Sequence, residues 1–469
     1  MDGFTAILEQ IDKAIWGVPL MALILTGGIL LTIRLKGLQF RRLPLALKYV
    51  FKNEKDGEGD VSSFGALCTA LAATIGTGNI VGVATAVCAG GPGALFWMIA
   101  AACLGMATKY AEGVLAIRFR KKTPDGHYLG GPFTYIEKGM GTKWKWLAKL
   151  FAIFGMLAGL LGIGTLVQIN GISSAIHNFF DSQDQYLVTI PGIGTYSVTV
   201  LITAIAVTAL VAFVLLGGIK RISSVAGIIV PFMAIVYVVF CLIVIFSNAG
   251  AVPGALLAIL EGAFNPQAVT GGVVGSIFIT MQYGIGRGIF SNEAGLGSAP
   301  IAAAAAKTND PSRQGLVSMT GTFIDTIVIC TLTGLTIIIT GAWQIQGLEG
   351  VSVTTAAFQI GLPFPKIVAS AFLMGSLAFF AFSTIPGWNY YSERCLEYLT
   401  DGSPKIMKAF RILYIAVIFF GPFLSVTAVW TMANIFNGFM AIPNMIAIFA
   451  LNGVVVAESM KLIRKKRKT

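Results

Sequence analysis

The sequence predicts an all-α integral membrane protein with about eleven transmembrane helices, and three observations support this fold class. Hydrophobic residues make up 56% of the 469 residues, charged residues only 12%, and the mean hydropathy is +0.80. Apolar segments of about 20 residues, enough to cross a hydrocarbon core of roughly 30 Å, recur along the chain. The basic residues lie on alternate connections between these segments. This composition leaves no room for a soluble domain.

The first apolar segment follows MDGFTAILEQIDK, which lacks the basic start and the small-residue cleavage site of a secretory signal. We therefore interpret this segment as a permanent span. The predicted spans cover residues 14–33, 64–90, 93–117, 148–176, 196–217, 223–247, 269–290, 315–341, 367–391, 408–430 and 436–457.

Lys and Arg are distributed asymmetrically, which predicts the orientation in the membrane. The connections after spans 1, 3, 5, 7 and 9 and the tail KLIRKKRKT carry nearly all of these residues. The connections near 177–195 and 248–268 carry none, and the connection between spans 8 and 9 carries only Lys366. The positive-inside rule places the N-terminus outside and the C-terminus in the cytoplasm, with the chain in the cell membrane. The net charge of +12 is then explained without a nucleic-acid partner.

Glycine interrupts two of the predicted spans at mid-depth. Span 2 contains IGTGNIVG, and span 7 contains MQYGIGRG at residues 281–288. Because these spans are five apart and run in opposite directions, spans 2–6 and 7–11 would form a five-plus-five inverted repeat after one extra N-terminal helix. Each half would open with a broken helix, a pattern typical of a secondary transporter whose site lies where the breaks meet. The alternative is that the glycines only let helices pack closely.

The same pattern divides the chain into three parts. We expect residues 1–60 to form an N-terminal transmembrane helix and a basic cytoplasmic loop. Residues 61–250 would form the first repeat, and residues 251–469 the second repeat with a basic cytoplasmic tail.

The break in span 2 contains Gly76, Gly78 and Gly82. Their GxGxxxG spacing misses the third glycine of the dinucleotide fingerprint and both flanks are spans, so nucleotide binding is rejected. An unwound helix in mid-membrane frees backbone groups that lipid cannot satisfy. The freed N–H groups attract a carboxylate, and the freed carbonyls of the inner half-helix attract a cation. A zwitterionic amino acid with Na+ matches both requirements.

Span 9 carries polar residues beside a proline in AFFAFSTIPGWNYY. The hydroxyls of Ser383 and Thr384 suit a weakly held hard cation beside backbone carbonyls. Trp388 lies one helical turn after Thr384 and is placed to close a small pocket. Alternatively, the two hydroxyls cap the kink before Pro386.

Isolated polar residues inside spans are costly and therefore informative. Asp325 lies well inside span 8 and would mark an ion or proton path, unless it lies nearer the cytoplasmic end and pairs with a loop cation. Gln168 is an amide at mid-depth in span 4, for which a helix–helix hydrogen bond is the alternative. Glu112 and Lys109 are interpreted as an i,i+3 pair at a helix end.

The sequence argues against an enzyme and against a channel. His127 and His177 lie outside the spans, and no HExxH motif, metal-spaced Cys/His set or nucleophile elbow occurs. The six cysteines lie within or beside spans, so no disulfide framework is expected. A channel would need a ring-like spacing of acids or amides, which the spans lack.

Three segments resemble one family of transporters. They are TALAATIGTGNIVGVATAV at 69–87, SNEAGLGSAPIAAAAA at 291–306 and FSTIPGWNYYSERC at 382–395. Through them the chain resembles the alanine or glycine:cation symporters, or sodium:alanine symporters, essentially from end to end. The resemblance implies the inverted-repeat fold of the bacterial leucine transporter and Na+-coupled import of small neutral amino acids such as alanine and glycine. It implies no cofactor besides Na+ as coupling ion; a proton-coupled symporter of the same fold is the alternative, and the oligomeric state stays open.

The resemblance also implies roles for individual residues. N–H groups at the first break would bind the substrate carboxylate, and the pocket would comprise Gly76, Thr77, Gly78, Gln168, Phe278, Met281, Gln282 and Trp388. One sodium site would use carbonyls and hydroxyls of Ala72, Ile75, Ser383 and Thr384. A second ion site or coupling site would involve Thr74, Asn79 and Asp325. A pocket walled by Phe, Met and Trp favours alanine and glycine over larger substrates.

Overall fold

The structure, a computed structural model, describes residues 2–52, 54, 57–191, 194–265 and 277–465. The helices up to residue 264 are α1 (Asp2–Ile15), α2 (Val18–Arg34), α3 (Leu38–Arg41), α4 (Leu43–Phe51), α5 (Ser63–Thr74), α6 (Val83–Gly90), α7 (Gly93–Phe119), α8 (Pro132–Gly139), α9 (Lys145–Leu161), α10 (Leu166–Phe180), α11 (Val198–Leu215), α12 (Gly218–Ser247) and α13 (Val252–Phe264). From residue 277 they are α14 (Ile277–Asn292), α15 (Ala299–Ala303), α16 (Pro311–Thr322), α17 (Thr331–Ile339), α18 (Val351–Gly361), α19 (Lys366–Thr400), α20 (Pro404–Phe420) and α21 (Val426–Lys465). Two antiparallel hairpins pair β1 (Lys121–Lys122) with β2 (Tyr128–Leu129) and β3 (Leu187–Ile190) with β4 (Gly194–Ser197).

Two π-helical segments replace α-helix within the bundle. Gly78–Gly82 leads directly into α6, and Phe323–Cys330 joins α16 to α17. Such π turns widen a helix and frequently occur at functional sites. Short 3-10 turns complete the helical segments at Thr142–Trp144, Ala249–Ala251, Ala342–Gln344 and Gly421–Phe423.

Eight helical segments of the described residues are long and apolar enough to cross a membrane. The bent pair Ser63–Thr74 and Gly78–Gly90 makes a ninth. Of the two remaining predicted spans, the first corresponds to the shorter apolar helix α2, and span 7 begins within residues 266–276, outside the described residues. The all-α architecture is confirmed, and the count of eleven stays a prediction.

The two halves of the bundle contain the same order of elements. Each opens with a broken helix, continues with a long helix, a short helix and a second long segment, and ends with two further long helices. The first half consists of α5 with α6, α7, α8, α9 with α10, α11 and α12. The second consists of α14 with α15, α16 with α17, α18, α19, α20 and α21. This order fits the predicted five-plus-five repeat.

Helices α7, α9 and α10 form the centre of the bundle, and α11, α12 and α20 form its periphery. The most apolar window is 67% buried in α7 and in Thr142–Phe180, but only 28% buried in α12. Large apolar side chains such as Phe213, Ile228 and Phe246 are exposed on the peripheral helices. An apolar surface of this extent is suited to lipid.

The two ends of the bundle differ in charge. The basic end contains the loops that carry Arg120, Lys121 and Lys307. The opposite end contains the hairpin of β3 and β4 and the loop of residues 340–350. We call it the cavity end, because a large cavity opens there between α6, α10 and α21. Helix α5 starts at the basic end, and α6 continues toward the cavity end.

The second broken helix breaks later in the sequence than predicted. The prediction placed the break at residues 281–288, but α14 is continuous over Ile277–Asn292, and the chain leaves the helix at residues 293–298. Two glycines of MQYGIGRG, Gly284 and Gly288, pack closely against α7 instead. A Cβ on Gly284 would lie 2.2 Å from the backbone oxygen of Ala94, so glycine is needed where α14 touches α7.

Predicted span 4 contains a third interruption. Helix α9 ends at Leu161 and α10 begins at Leu166, so the GIGT sequence at residues 162–165 is not helical. The predicted span over 148–176 still lies within one segment, Thr142–Phe180, that is long and apolar enough to cross a membrane. A Cβ on Gly164 would lie 2.5 Å from Trp388 Cβ, so glycine is needed where this segment passes α19.

Candidate functional site

The first break lies between α5 and the π turn that leads into α6, and its two half-helices are bent by 54°. A Cβ on Gly76 would lie 2.7 Å from Thr384 Oγ1 and 3.0 Å from Gln168 Oε1, so only glycine fits there. A Cβ on Gly78 would lie 3.2 Å from Ser291 Cα. The break predicted at IGTGNIVG is confirmed, and α10, α14 and α19 all contact it.

Side-chain oxygens accept the backbone N–H groups of this break. Asn79 Oδ1 accepts from Gly76 at 2.9 Å, and Gln168 Oε1 accepts from Thr77 at 3.3 Å. The hydroxyl oxygen of Thr77 is buried and has no hydrogen-bond partner within the described residues. Buried polar atoms are usually paired. The Thr77 hydroxyl is therefore a candidate contact for a polar ligand.

A cavity of about 680 Å³ leads from the cavity end to the first break. Its volume lies within the range of about 300–1,000 Å³ that is typical of small-molecule sites. Its walls carry groups of both charge signs, and the Arg287 guanidinium lies 5.2 Å from the centre of the Trp430 ring. The polar and aromatic lining includes Thr77, Asn170, Ser174, Arg287, Glu349 and Trp430.

Gln168 connects the first break to the interruption between α9 and α10. Its Oε1 accepts from Thr77, while its Nε2 donates to the backbone oxygen of Ile163 at 2.9 Å. The Tyr414 hydroxyl donates to Ile385 O at 2.9 Å, and its oxygen lies 3.4 Å from the neighbouring Gly164 oxygen. The Gln168 amide therefore forms hydrogen bonds to the first break and to the interruption between α9 and α10, which explains how a polar side chain is tolerated at mid-depth.

The pocket residues predicted in span 7 do not lie at the first break. Phe278 is 70% exposed, Gln282 is also exposed, and Met281 is half-buried. Thr280, in the same turn, donates to the backbone oxygen of Gly90 at 2.9 Å, so this part of α14 lies beside the far end of α6. The prediction depended on a break at MQYGIGRG, and the later position of the break changes which residues reach the first one.

In α14, Phe290 and Ser291 lie beside the first break, where Phe278 and Met281 were expected. A Cβ on Gly78 would lie 3.6 Å from Phe290 Cδ1 as well as close to Ser291. The Phe290 ring centre lies 5.0 Å from that of Trp430, which lines the cavity. An aromatic wall beside the first break is therefore present, but it comes from the last turn of α14.

Asp325 lies in the π-helical segment and is fully buried. Its Oδ1 accepts from Asn79 Nδ2 at 2.8 Å, and its Oδ2 accepts from the hydroxyls of Ser291 at 2.9 Å and Thr326 at 2.7 Å. Pairing with a loop cation at the cytoplasmic end, the alternative considered for Asp325, is not observed among the described residues. The first break, the last turn of α14 and the π turn thus meet at one carboxylate.

The predicted sodium ligands lie where α19 crosses α5. Thr384 Oγ1 lies 3.4 Å from the backbone oxygen of Ile75 and also donates to Phe380 O at 3.1 Å. Ser383 Oγ donates to Phe380 O at 2.9 Å. Ala72 is buried in the last turns of α5. Thr384 and Ile75 are therefore adjacent, as a shared ion site requires.

Thr74, the residue of α5 predicted for a second ion site, forms hydrogen bonds within its own helix. The Thr74 hydroxyl lies 3.2 Å from Ala70 O and 3.3 Å from Leu71 O, in the preceding turn of its own helix. Such back-bonding satisfies a hydroxyl within a helix. In this structure the Thr74 hydroxyl faces its own backbone rather than Asn79 or Asp325.

Glu112 of α7 holds the second break. It is fully buried, and its Oε1 accepts from the backbone N–H groups of Gly295 and Gly297, both at 3.2 Å. Asn444 Nδ2 donates to the same oxygen at 2.8 Å and to Gly295 O at 2.9 Å. The interpretation of Glu112 as part of a helix-end pair with Lys109 is wrong, because this part of α7 runs through the buried centre.

Glu293 begins the second break with a left-handed φ of 56°. A residue with a Cβ adopts this conformation only at a cost, and such strain is often found at functional sites. Its Oε1 accepts from Trp388 Nε1 at 2.9 Å, and its Oε2 accepts from the Ser298 hydroxyl. Trp388 is fully buried, so the indole predicted to close the pocket is fixed by the second break.

Three carboxylates and one ammonium group are buried around these breaks. Glu112, Glu293 and Asp325 are fully buried, and Lys109 is 2% exposed. Lys109 interacts electrostatically with each of the three acids. Among the described residues it is the one buried Lys or Arg. The excess of negative charge in a low-dielectric centre favours cation binding.

Oxygen atoms dominate this centre. Within the described ranges no group of three His, Cys, Asp or Glu side chains could hold a transition metal. Hydroxyl, carbonyl and carboxylate oxygens are the ligands that hard cations prefer. All six cysteines are free. The chemistry of the site therefore suits Na+ better than a transition metal.

The sequence also matches a known family along its whole length. The family is described as the sodium:alanine symporter family, and the match covers residues 1–469. The chain belongs to this family. Its members are transporters, so the protein is a multi-pass secondary transporter of the membrane and not an enzyme.

Relatives in this family are named for different amino acids. An uncharacterized transporter of Haemophilus influenzae is 52% identical over 97% of this chain and 95% of its own length. The sodium/alanine symporter AgcS of Methanococcus maripaludis is 45% identical over 97% of this chain and 96% of its own. The probable sodium/glutamine symporter GlnT of Bacillus subtilis is 37% identical over 98% of this chain and 92% of its own. Family membership alone therefore leaves the substrate open.

A solved structure supports the predicted fold. The crystal structure of MhsT in complex with L-phenylalanine matches with a TM-score of 0.61, over 86% of this chain and 92% of that chain. At 14% sequence identity the likeness concerns the fold alone. The prediction of a leucine-transporter-like fold is confirmed.

Proposed function

We propose that this transporter imports small neutral amino acids, such as alanine and glycine, together with Na+ by alternating access. One observation carries the proposal: the cavity ends at Thr77, and the cluster of oxygen atoms around Asp325 lies directly behind the same break. Donors for a carboxylate and ligands for a cation are thus side by side. Membership of a family of sodium:alanine symporters supports the same substrate and ion.

The substrate carboxylate would bind the N–H groups of Thr77 and Gly78 and the Thr77 hydroxyl. Gln168 would form one side of the pocket, and Trp388 would close it, with Phe290 in the place first expected for Phe278. On the side of Thr384 and Gln168 no space is left beside the break, since a Cβ on Gly76 would collide with both. This geometry favours a substrate with a short side chain.

Two cation sites would flank the substrate. The first would lie between α5 and α19 and use the carbonyls of Ala72 and Ile75 with the hydroxyls of Ser383 and Thr384. The second, for Na+ or a proton, would centre on Asp325 with Asn79 and Ser291, and Thr74 could contribute only if its hydroxyl turned away from its own helix. Because ion and substrate would share the first break, each would favour binding of the other.

The orientation follows from the charge asymmetry. We propose that the basic end faces the cytoplasm, with the N-terminus outside and the C-terminus inside. The cavity end would then face outward. The halves that rock against each other would be the repeats of residues 61–250 and 251–469, preceded by residues 1–60.

Uptake of labelled alanine into proteoliposomes tests the proposal. We expect accumulation only with an inward Na+ gradient, and equal uptake with choline in place of Na+ would contradict Na+ coupling. Dependence on a pH gradient instead would support the alternative, a proton-coupled symporter that uses Asp325. Unitary current steps in a bilayer recording would instead support a channel.

A binding experiment separates substrate from ion. We expect alanine and glycine to raise the melting temperature of the purified protein more in Na+ than in choline, because a ligand stabilises the state that binds it. Glutamine belongs in the panel because a relative is named for it. Thr384→Ala should raise the Na+ concentration needed for half-maximal uptake, and an unchanged value would remove Thr384 from the ion site.

A further inference from the structure

At the basic end, the segment that enters α5 is paired with the segment that leaves α15. The N–H groups of Asp60 and Val61 donate to Ala305 O at 2.8 Å and 3.1 Å, and Lys307 N donates to Val61 O at 2.8 Å. Val61 and Ala306 form a parallel β-bridge. The halves of the two broken helices that point to the basic end are therefore tied together by their backbones.

Arg120 spans both paired segments. Its Nη1 donates to the backbone oxygens of Ala304 and Ala306, both at 2.8 Å. Its Nη2 donates to the backbone oxygens of Glu58 at 2.8 Å and Thr308 at 2.7 Å. One guanidinium thus serves four carbonyls from two chain segments. A planar fork with five donors can do this, whereas a lysine ammonium cannot.

Hairpin β1–β2 supports this arrangement from the outside. The Arg120 guanidinium lies 4.1 Å from the centre of the Tyr128 ring. The Tyr128 hydroxyl donates to Glu58 Oε2, and its backbone N–H donates to Asp60 Oδ2 at 2.9 Å. The hydrogen bond to Glu58 raises the pKa of Tyr128, so the phenol stays neutral and keeps donating. The segment before α5 is therefore held by Arg120 and by Tyr128.

We propose that Arg120 and Tyr128 form a latch that closes the basic end while the cavity end is open, and that each transport cycle must release it. The proposal rests on alternating access as proposed above. A path from the first break to the basic end requires α5 to separate from α15. That movement breaks the backbone pairing, and Arg120 must give up either the Glu58 oxygen or the three oxygens of the other segment.

The latch is placed to act on the site. Its two segments continue directly into α5 and α15, whose opposite ends form the first and second breaks. Its partners are mainly neutral carbonyls, so the latch depends little on ion pairs that salt would screen. Removing the guanidinium should shift the population toward the form that is open at the basic end.

Cysteine labelling can measure how accessible the cavity end and the basic end are to a thiol reagent. Cys88 is half-buried and lines the cavity, whereas Ser63, in the first turn of α5, is fully buried at the basic end. In a background with the other cysteines replaced, Cys88 measures access from the cavity end. In a second background without Cys88, Ser63→Cys measures access from the basic end. An impermeant thiol reagent is applied to oriented vesicles from each side.

We expect Arg120→Ala to speed labelling at position 63 by about tenfold and to slow labelling of Cys88 by a smaller factor. Opening gives up at least the hydrogen bond to Glu58, one bond of this kind shifts the equilibrium about tenfold, and such a shift changes the minor population most. Tyr128→Phe should shift both rates in the same direction but less. The matched control is Arg118→Ala, two residues away: the Arg118 side chain is 55% exposed, pairs with Glu458 and does not touch the latch. Its rates should equal those of the parent.

Unchanged rates in both backgrounds, for an Arg120→Ala protein with the melting temperature of the parent, would overturn the latch. If Arg120→Ala does not fold, the labelling rates of Cys88 and of position 63 are measured in Tyr128→Phe and Arg120→Lys instead, and unchanged rates there would overturn the latch. The outcome is separate from the substrate assignment, because labelling is read without any substrate. A different substrate or coupling ion would change uptake and leave the labelling result standing, whereas a failed latch would leave Na+-dependent uptake intact.

Discussion

The side-chain oxygen of Gln168 accepts the backbone N–H of Thr77 at 3.3 Å. This N–H is one of the donors that we propose for the substrate carboxylate. A neutral amide oxygen therefore occupies the place of a carboxylate oxygen, and substrate binding would exchange one acceptor for the other. Since the Gln168 Nε2 is held by Ile163 O, the exchange also acts on the interruption between α9 and α10.

This relationship predicts a charge effect at position 168. Gln168→Glu would place a second carboxylate beside the substrate's, and the repulsion should raise the half-saturating alanine concentration by more than about tenfold, or about 1.4 kcal/mol. Gln168→Met, of similar volume and without charge, should cost less. Alanine titrations of uptake or of melting temperature measure both variants. Equal effects of Glu and Met would show that charge at this position does not matter.

The first break predicts opposite outcomes for two glycines in the same broken helix. Gly76→Ala would bring a Cβ to 2.7 Å from Thr384 Oγ1, and overpacking of this kind costs about 1–3 kcal/mol. We expect it to lower Na+-dependent alanine uptake more than about tenfold. Gly82→Ala has nothing within 4 Å of the new Cβ and should transport normally. Comparable losses in both variants would contradict a specific role of Gly76.

The contacts of Asp325 predict that its charge matters for the coupling ion. Asp325→Asn keeps a polar group of the same size but removes the negative charge, so the Na+ concentration for half-maximal uptake should rise about tenfold or more. Asp310→Asn is the control, because Asp310 caps α16 at the basic end and asparagine is an equally good cap. Unaltered Na+ dependence in Asp325→Asn would place the coupling ion elsewhere.

The first break could be predicted from sequence because its glycines lie beside Thr and Asn, which have no packing role in lipid. The glycines at MQYGIGRG are as closely spaced, yet Gly284 and Gly288 serve contact between α14 and α7. A single sequence does not distinguish a glycine needed for packing from one needed for backbone conformation. The signal for the true second break was SNEAGLGSAP, where Glu293, Gly295 and Gly297 have left-handed φ.

The residues that support the breaks were harder to predict. Glu112 contacts Gly295 and Gly297, more than 180 positions away, and Arg120 contacts both Glu58 and Thr308. Such pairs depend on how distant helices cross, which periodicity and spacing do not report. From sequence alone, a charged residue near a predicted helix end is expected to be exposed. Glu112 is buried because α7 runs through the centre of the bundle.

Asp181 predicts a pH-dependent contribution to stability at the cavity end. Its carboxylate accepts from the Ser197 hydroxyl at 2.6 Å and from the N–H of Gln185 at 2.7 Å, and these bonds lower its pKa. A carboxyl whose pKa is lower in the folded state stabilises the fold above its unfolded pKa and loses that contribution as pH falls through the folded value. Asp181→Asn should therefore melt at a lower temperature than the parent at neutral pH.

The difference between Asp181→Asn and the parent should shrink as the pH is lowered below about 4, the usual range of an aspartate. Thermal unfolding in detergent over this pH range measures it. Asp184→Asn, in the same loop with a 61% exposed side chain, is the comparison and should show a smaller difference. A gap between Asp181→Asn and the parent that persists unchanged into acid would mean that the carboxylate charge is not its source.

The hydrogen bonds of Glu112 predict that the second break needs a hydrogen-bond acceptor at this position more than it needs a negative charge. Glu112→Ala would leave two backbone N–H groups and the Asn444 amide without their shared acceptor, at about 1–3 kcal/mol for each unsatisfied group. Glu112→Gln keeps an oxygen at the same reach, so it should retain most of the melting temperature and part of the alanine affinity. The break carries Glu293, which holds Trp388, so Glu112→Ala should also weaken alanine binding. If Glu112→Gln lowers the melting temperature and the alanine affinity as much as Glu112→Ala, then Glu112 acts through its charge balance with Lys109 and not through its hydrogen bonds to the break.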